Sequence, residues 1–345
     1  MKKELMQPLP REEVIKAVER KNPVRIPLVL SKFWGEGLVE QYGDRLKQLD
    51  RFPDDAAMLW IDPIDYRKMG LSWEINFEGA RDRMNIVDDW SRLDEFIEKL
   101  PDPEQDAQFS RLAEQCEHHK QHNRYILFCW WGLFFERPWG IRGMENLLLD
   151  YYLEPENVHR LHDALCNLYI GYIRRAVREL QPDGFFTSDD LGHQTQPMMK
   201  PEIFCALLKP YYRKVGAELK THNLHWWLHS CGNNTELLPH LIDVGVNVFH
   251  PLQKYTMDAN AVAKQFGRQL SFLAGVDVQR IITRTDPQTI RAEVRFLIDV
   301  FDRPEGGMCI GAGNGIVAGT PFENIEAFLD EALHYGSYHR RQFSP

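Results

Sequence analysis

A histidine and a cysteine stand two residues apart in Leu228-His229-Ser230-Cys231-Gly232. The stretch that leads into them, NLHWWLHS at 223–230, reads as a β-strand. Side chains alternate along an extended chain, so an imidazole and a thiol two apart face the same way and can chelate one ion. Cys309 adds a third donor from another strand pattern, GMCIGAG at 307–313. One nitrogen and two sulfurs suit zinc and leave its fourth position open, the arrangement of a catalytic site. The same residues also read as a core histidine and two buried thiols, because H-x-C by itself is not a specific pattern.

A second group follows the pattern GFFTSDD at 184–190, which ends in Asp189 and Asp190 and continues into Leu191-Gly192-His193-Gln194. Adjacent carboxylates at a strand end point in opposite directions, so one of the two faces the site. It can serve as a general base, a substrate clamp or a further metal ligand, or it can cap a turn. His193 and Gln194 follow closely enough to touch a substrate. Aromatic residues crowd after the run YILFCWW at 125–131: Trp130, Trp131, Phe134, Phe135 and Trp139, with Trp60, Trp226 and Trp227 elsewhere. Core packing accounts for most of them. Phe134 and Trp139, at loop positions, are candidates to line a pocket for a flat or apolar substrate. Glu136 beside them reads as a substrate contact or as the partner of Arg137.

The elements that must position these residues alternate. Strand patterns fall at 26–30, 56–62, 125–131, 184–190, 223–230, 246–250, 269–277 and 307–313, and nearly all are followed by helical patterns. Strands joined by crossover helices pair in parallel, and eight of them predict a closed (β/α)8 TIM barrel of the α/β class. The barrel is expected to be one domain over residues 1–345, with an N-terminal helical extension at 11–21 and an insertion at 63–90 holding a small hairpin. Barrel sites lie at the C-terminal strand ends, where the residues above fall. An open doubly wound sheet is the rival, but SKFWGEG after the first strand pattern is not a G-x-G-x-x-G phosphate loop.

Composition sets further bounds. The chain has 345 residues, 43% hydrophobic and 26% charged, with 41 basic against 50 acidic side chains for a net charge of −9. That balance belongs to a globular protein, and with no basic stripe it argues against a nucleic-acid partner. No apolar run is long enough to span a bilayer. The opening MKKELMQPLPREEV lacks an apolar signal core, so a cytoplasmic protein with reduced cysteines is expected.

Long pieces of the chain resemble the uroporphyrinogen decarboxylase superfamily: GFFTSDDLGHQ at 184–194, KPEIFCALLKPYYRKV at 200–215, HSCGNNTELLPHLIDVGVNVFHPLQ at 229–253, GVDVQRII at 275–282 and TPFENIEAFLDEAL at 320–333. The resemblance implies a (β/α)8 barrel. Within the superfamily, methylcobalamin:coenzyme M methyltransferases carry a zinc motif H-x-C…C, onto which His229, Cys231 and Cys309 fall. It therefore implies a zinc-dependent methyltransferase working between a corrinoid partner protein and a small thiol or methoxylated substrate, with Asp189 or Asp190 as a proton relay or extra ligand. No D-x-H-x-x-G segment stands in the chain, so cobalamin is expected on the partner. The alternative is a metal-independent decarboxylase. That branch holds substrate carboxylates with arginines after its first strand, whereas PLVLSKFWGEG offers Lys32 and no arginine. Barrels of this acidic kind often dimerise, which leaves a homodimer open.

Overall fold

The computed structural model describes residues 5–65, 69 and 86–343. Among these residues seven strands follow one another in chain order: β1 (Ala56–Trp60), β2 (Tyr125–Trp130), β3 (Gly184–Ser188), β4 (His225–His229), β5 (Val246–His250), β6 (Ser271–Val276) and β7 (Met308–Ala312). Helices separate them, which makes the fold α/β. The insertion hairpin expected at WEINFEG lies outside the described residues, as does part of its expected second strand. No helix among the described residues is long and apolar enough to cross a membrane.

The chain clusters into two compact units, each assembled from separate stretches. The first comprises Met1–Ala57, His119–Ile126 and Asn247–Pro345; the second comprises Met58–His118 and Leu127–Val246.

In the first unit β5, β6 and β7 pair in parallel, with Val248 opposite Ser271 and Leu273 opposite Cys309. The expected first strand at 26–30 is not a regular strand. It runs beside β7 through Val29 N–H to Ile310 O (3.0 Å) and Ile310 N–H to Pro27 O (2.9 Å), making a single bridge at Leu28. Pro27 supplies no donor, and Leu30 turns to φ +52, so the ladder cannot propagate. Among the described residues, the eight strands expected are thus seven strands and one bridged segment. The Asp55 carboxylate accepts from the Leu9 and Leu28 N–H groups (both 2.7 Å) and pairs with the Arg25 guanidinium at 2.6 and 2.8 Å, all buried.

In the second unit β2, β3 and β4 pair in parallel, in a register that sets Ser188 opposite His229. These strands are buried on both faces, which suits their continuous apolar composition. The core around them is aromatic: Trp130 packs 4.4 Å from Phe185, and Tyr212 stacks on Trp226 at 5.6 Å. The helix expected at 201–220 is broken into Pro201–Ile203, a π-helical turn at Phe204–Leu208 and Lys209–Thr221. Pro210 lacks the N–H that would bond four residues back, and the chain widens there by one residue.

Candidate metal centre

Because Ser188 and His229 are level in the sheet, β3 and β4 end together and their outgoing turns run side by side. The contact between the turns is backbone on backbone. Gly192 N–H donates to Cys231 O (3.2 Å), Asn233 N–H to His193 O (2.7 Å) and Asp189 N–H to His229 O (2.8 Å). A Cβ on Gly192 would lie 2.6 Å from Asn233 N, Cys231 O and Gly232 C; Gly232, at φ +80, is equally tight against Gly192. Asn234, fully buried, holds the second turn. Its amide donates to the carbonyls of Ser230 (3.1 Å), Cys231 (3.0 Å) and Gly232 (3.3 Å), and it accepts from the Ser230 hydroxyl (3.1 Å), whose oxygen accepts the Leu191 N–H.

This interlock gathers three donor atoms. The His229 Nε2 lies 3.4 Å from the Cys231 Sγ and 3.6 Å from an Asp190 carboxylate oxygen, with all three ligand atoms within 4.8 Å of one another. The same Asp190 oxygen accepts the Cys231 N–H at 2.8 Å, which fixes the carboxylate to the turn that carries the thiol. His229 is buried, while Asp190 and Cys231 are part-exposed. Ligands about 2.0–2.3 Å from a tetrahedral zinc lie about 3.3–3.6 Å from each other, so the spacing and the N, S, O donor set fit a borderline divalent cation.

The other residues singled out from sequence take different places. Cys309 is the second residue of β7, in the first unit, where burial and the nearby Asp55 charge push its thiol well above its usual pKa. Asp189 is fully buried and aims the other way from Asp190. Its carboxylate accepts the backbone N–H groups of Phe134, Phe135 and Glu136 at 2.6–3.0 Å and the Tyr212 hydroxyl at 2.6 Å. Burial pushes its pKa up to about 6 against the opposing pull of these donors. It anchors the 134–136 turn.

Phe134 is core, packed among His162, Tyr169, Tyr211 and Tyr212. Trp139 is buried edge-on to Phe135, and Glu136 is buried with the Ser188 hydroxyl donating to it. His193 and Gln194 are exposed in the turn that Gly192 starts. The residues assigned no role from sequence are Gly192, Ser230, Gly232, Asn234 and Tyr212; Trp131, named in the aromatic cluster but not as a site residue, meets the His229 ring edge-on at 5.5 Å. Asn234 had a local signal: an Asn three residues after a strand-end cysteine is a turn residue able to cap carbonyls.

This geometry sits in a family context. Residues 138–335 match the family model described as Uroporphyrinogen decarboxylase (URO-D), more than half of the chain, and the chain belongs to that family. A methylated-thiol–coenzyme M methyltransferase of Methanosarcina mazei is 23% identical over 189 residues, 55% of this chain and 48% of that protein; the match thus spans about half of the relative's length. A uroporphyrinogen decarboxylase of Aliivibrio salmonicida is 23% identical over 318 residues, 86% of this chain and 83% of that one. Among solved structures, a methyltransferase from Methanosarcina mazei superposes with a TM-score of 0.66 at 16% identity, covering 94% of this chain and 98% of its own. That likeness establishes the fold.

Proposed function

We propose that Asp190, His229 and Cys231 hold a zinc ion, and that the chain transfers a methyl group between a corrinoid partner protein, which brings the cobalamin, and a small thiol or methoxylated substrate. The convergence of the three donor atoms at 3.4 and 3.6 Å carries this reading, on a chain with a methyltransferase relative. Zinc bound there supplies Lewis acidity, which lowers the pKa of a thiol or polarises an ether oxygen.

The chain's own residues do the rest. The end of β4 fixes the His229 imidazole. The Cys231 N–H orients the Asp190 carboxylate, and Asn234 freezes the turn between them, so little ordering remains to be done when metal enters. Asp190 also offers the one part-exposed carboxylate of the group, able to take a substrate proton. Asp189 steadies the 134–136 turn beside β3.

The decarboxylase alternative draws on relatives that cover more of the chain. In this chain Lys32 is engaged by Asp54 (2.9 Å) and by Phe52 O (3.0 Å), and Arg25 is locked on Asp55, which leaves neither poised for substrate carboxylates.

The experiment is metal analysis after chelator-free purification, followed by methyl transfer from free methylcobalamin to a panel of simple thiols. About one zinc per chain and zinc-dependent demethylation of the cobalamin are expected. Substoichiometric zinc, or release of carbon dioxide from a porphyrinogen by metal-free protein, overturns the proposal.

A further inference from the structure

We propose that the substrate bound at this centre carries an aromatic ring, received by a tryptophan wall built from Trp60 and Trp131. The inference rests on the metal reading above and names the substrate class for it. Three tryptophans of the chain, Trp130, Trp226 and Trp227, are fully buried and belong to the core. Trp60 and Trp131, at the C-terminal ends of β1 and β2, stay part-exposed. They stack on each other with centroids 4.9 Å apart and an interplanar angle of 20°, and Phe186 meets both edge-on at 5.5 and 5.6 Å. The pair therefore has a packed floor, and both part-exposed residues lie at or just past the strand ends, where sites of such folds form.

The wall adjoins the donor atoms directly. The Trp131 ring meets the His229 ring at 5.5 Å and 89°, so a group at the metal has indole surface within about one ring width. The wall is also held in place. The Arg137 guanidinium donates to the Trp131 carbonyl at 2.7 Å and pairs with Asp62 at 3.2 Å, which ties the chain after β2 to the chain after β1. Preorganised apolar surface beside a polar centre selects a ligand with one coordinating atom and one flat apolar part. Indole faces also attract cations, so a methylated ammonium is the competing ligand class, and thiocholine represents it in the test. A neutral ring about one carbon from its sulfur or oxygen fits the spacing.

The test loads the protein with cobalt(II) alone, which reports thiolate binding by a charge-transfer absorption, the thiol proton passing to buffer. Dissociation constants are measured for phenylmethanethiol, ethanethiol and thiocholine with wild type, Trp131→Leu, Trp60→Leu and Trp131→Phe. The readout is the ratio of the ethanethiol to the phenylmethanethiol constant, which removes effects common to both thiols. Wild type is expected to show a ratio about tenfold above that of Trp131→Leu. Trp60→Leu should move the same way, and Trp131→Phe should keep most of the preference. A ratio unchanged in both leucine variants overturns the inference, as does a tenfold preference that goes to thiocholine instead. Protein that takes up no cobalt overturns the metal reading and this inference with it; cobalt uptake with an unchanged ratio overturns this inference alone.

Discussion

Adding one methyl group at Gly192 probes the backbone contact on which the metal centre depends. The new Cβ would sit 2.6 Å from three backbone atoms of the Cys231–Asn233 turn, where ordinary contact begins at 3.4 Å. None of the three can swing aside as a flexible side chain would, so the turns must part by about 0.8 Å, well beyond the roughly ±0.2 Å a metal site tolerates. Parting them stretches the Gly192–Cys231, Asn233–His193 and Cys231–Asp190 hydrogen bonds, now 2.7–3.2 Å. Overpacking of this kind costs about 1–3 kcal/mol and each weakened hydrogen bond adds up to about 1 kcal/mol, so Gly192→Ala should lose about 2–4 kcal/mol. Displacing Asp190 from Cys231 should also weaken zinc binding by about 10- to 100-fold. Urea unfolding with metal removed reads the first quantity, and competition with a chromophoric chelator reads the second. Gly319→Ala is the control: at φ +86 with nothing within 4 Å, it should cost about 1 kcal/mol from backbone strain and leave zinc affinity unchanged. Wild-type zinc affinity in Gly192→Ala, with stability within about 0.5 kcal/mol of wild type, would refute the reasoning.

Burial lowers the pKa of His162 to about 4 from its usual 6.5. Between those values the unfolded chain takes up a proton that the folded chain refuses, so this residue's contribution is full above pH 6.5 and is lost as pH falls toward 4. The stability gap between wild type and His162→Leu should change by about 2 kcal/mol in favour of the variant from pH 7 to 4.5, read by urea unfolding at each pH; a constant gap contradicts the shift. Arg25→Met strands the buried Asp55 carboxylate with only backbone donors and should destabilise by about 3–5 kcal/mol, with part of the loss recovered in Arg25→Met/Asp55→Leu. A loss below about 1 kcal/mol in the single variant would contradict that account.

Much of the site was legible because it depends on local rules. Two-residue alternation marked His229 with Cys231, and the same rule marked Asp189 and Asp190 as pointing apart. It could not say which carboxylate turns toward the imidazole, since that depends on the register that levels β3 with β4. The place of Cys309 as second residue of β7 follows only from where that strand starts. Phe134 and Trp139 went to the core while Trp60 and Trp131 stayed part-exposed; all four look alike in sequence, because burial is decided by neighbours far along the chain. The Gly192–Gly232 interlock has no local signature, since either glycine alone reads as an ordinary turn residue. Most strand positions were recovered from β-rich runs, and the one that failed, 26–30, holds the proline that a regular ladder excludes.

X-ray absorption at the zinc edge of substrate-free protein tests the central claim most directly. A site built from Asp190, His229 and Cys231 should show one sulfur at about 2.3 Å with the remaining ligands nitrogen and oxygen near 2.0–2.2 Å, unchanged in Cys309→Ala and lost or weakened in Asp190→Ala. Two sulfurs in the wild-type shell, falling to one in Cys309→Ala, would contradict it.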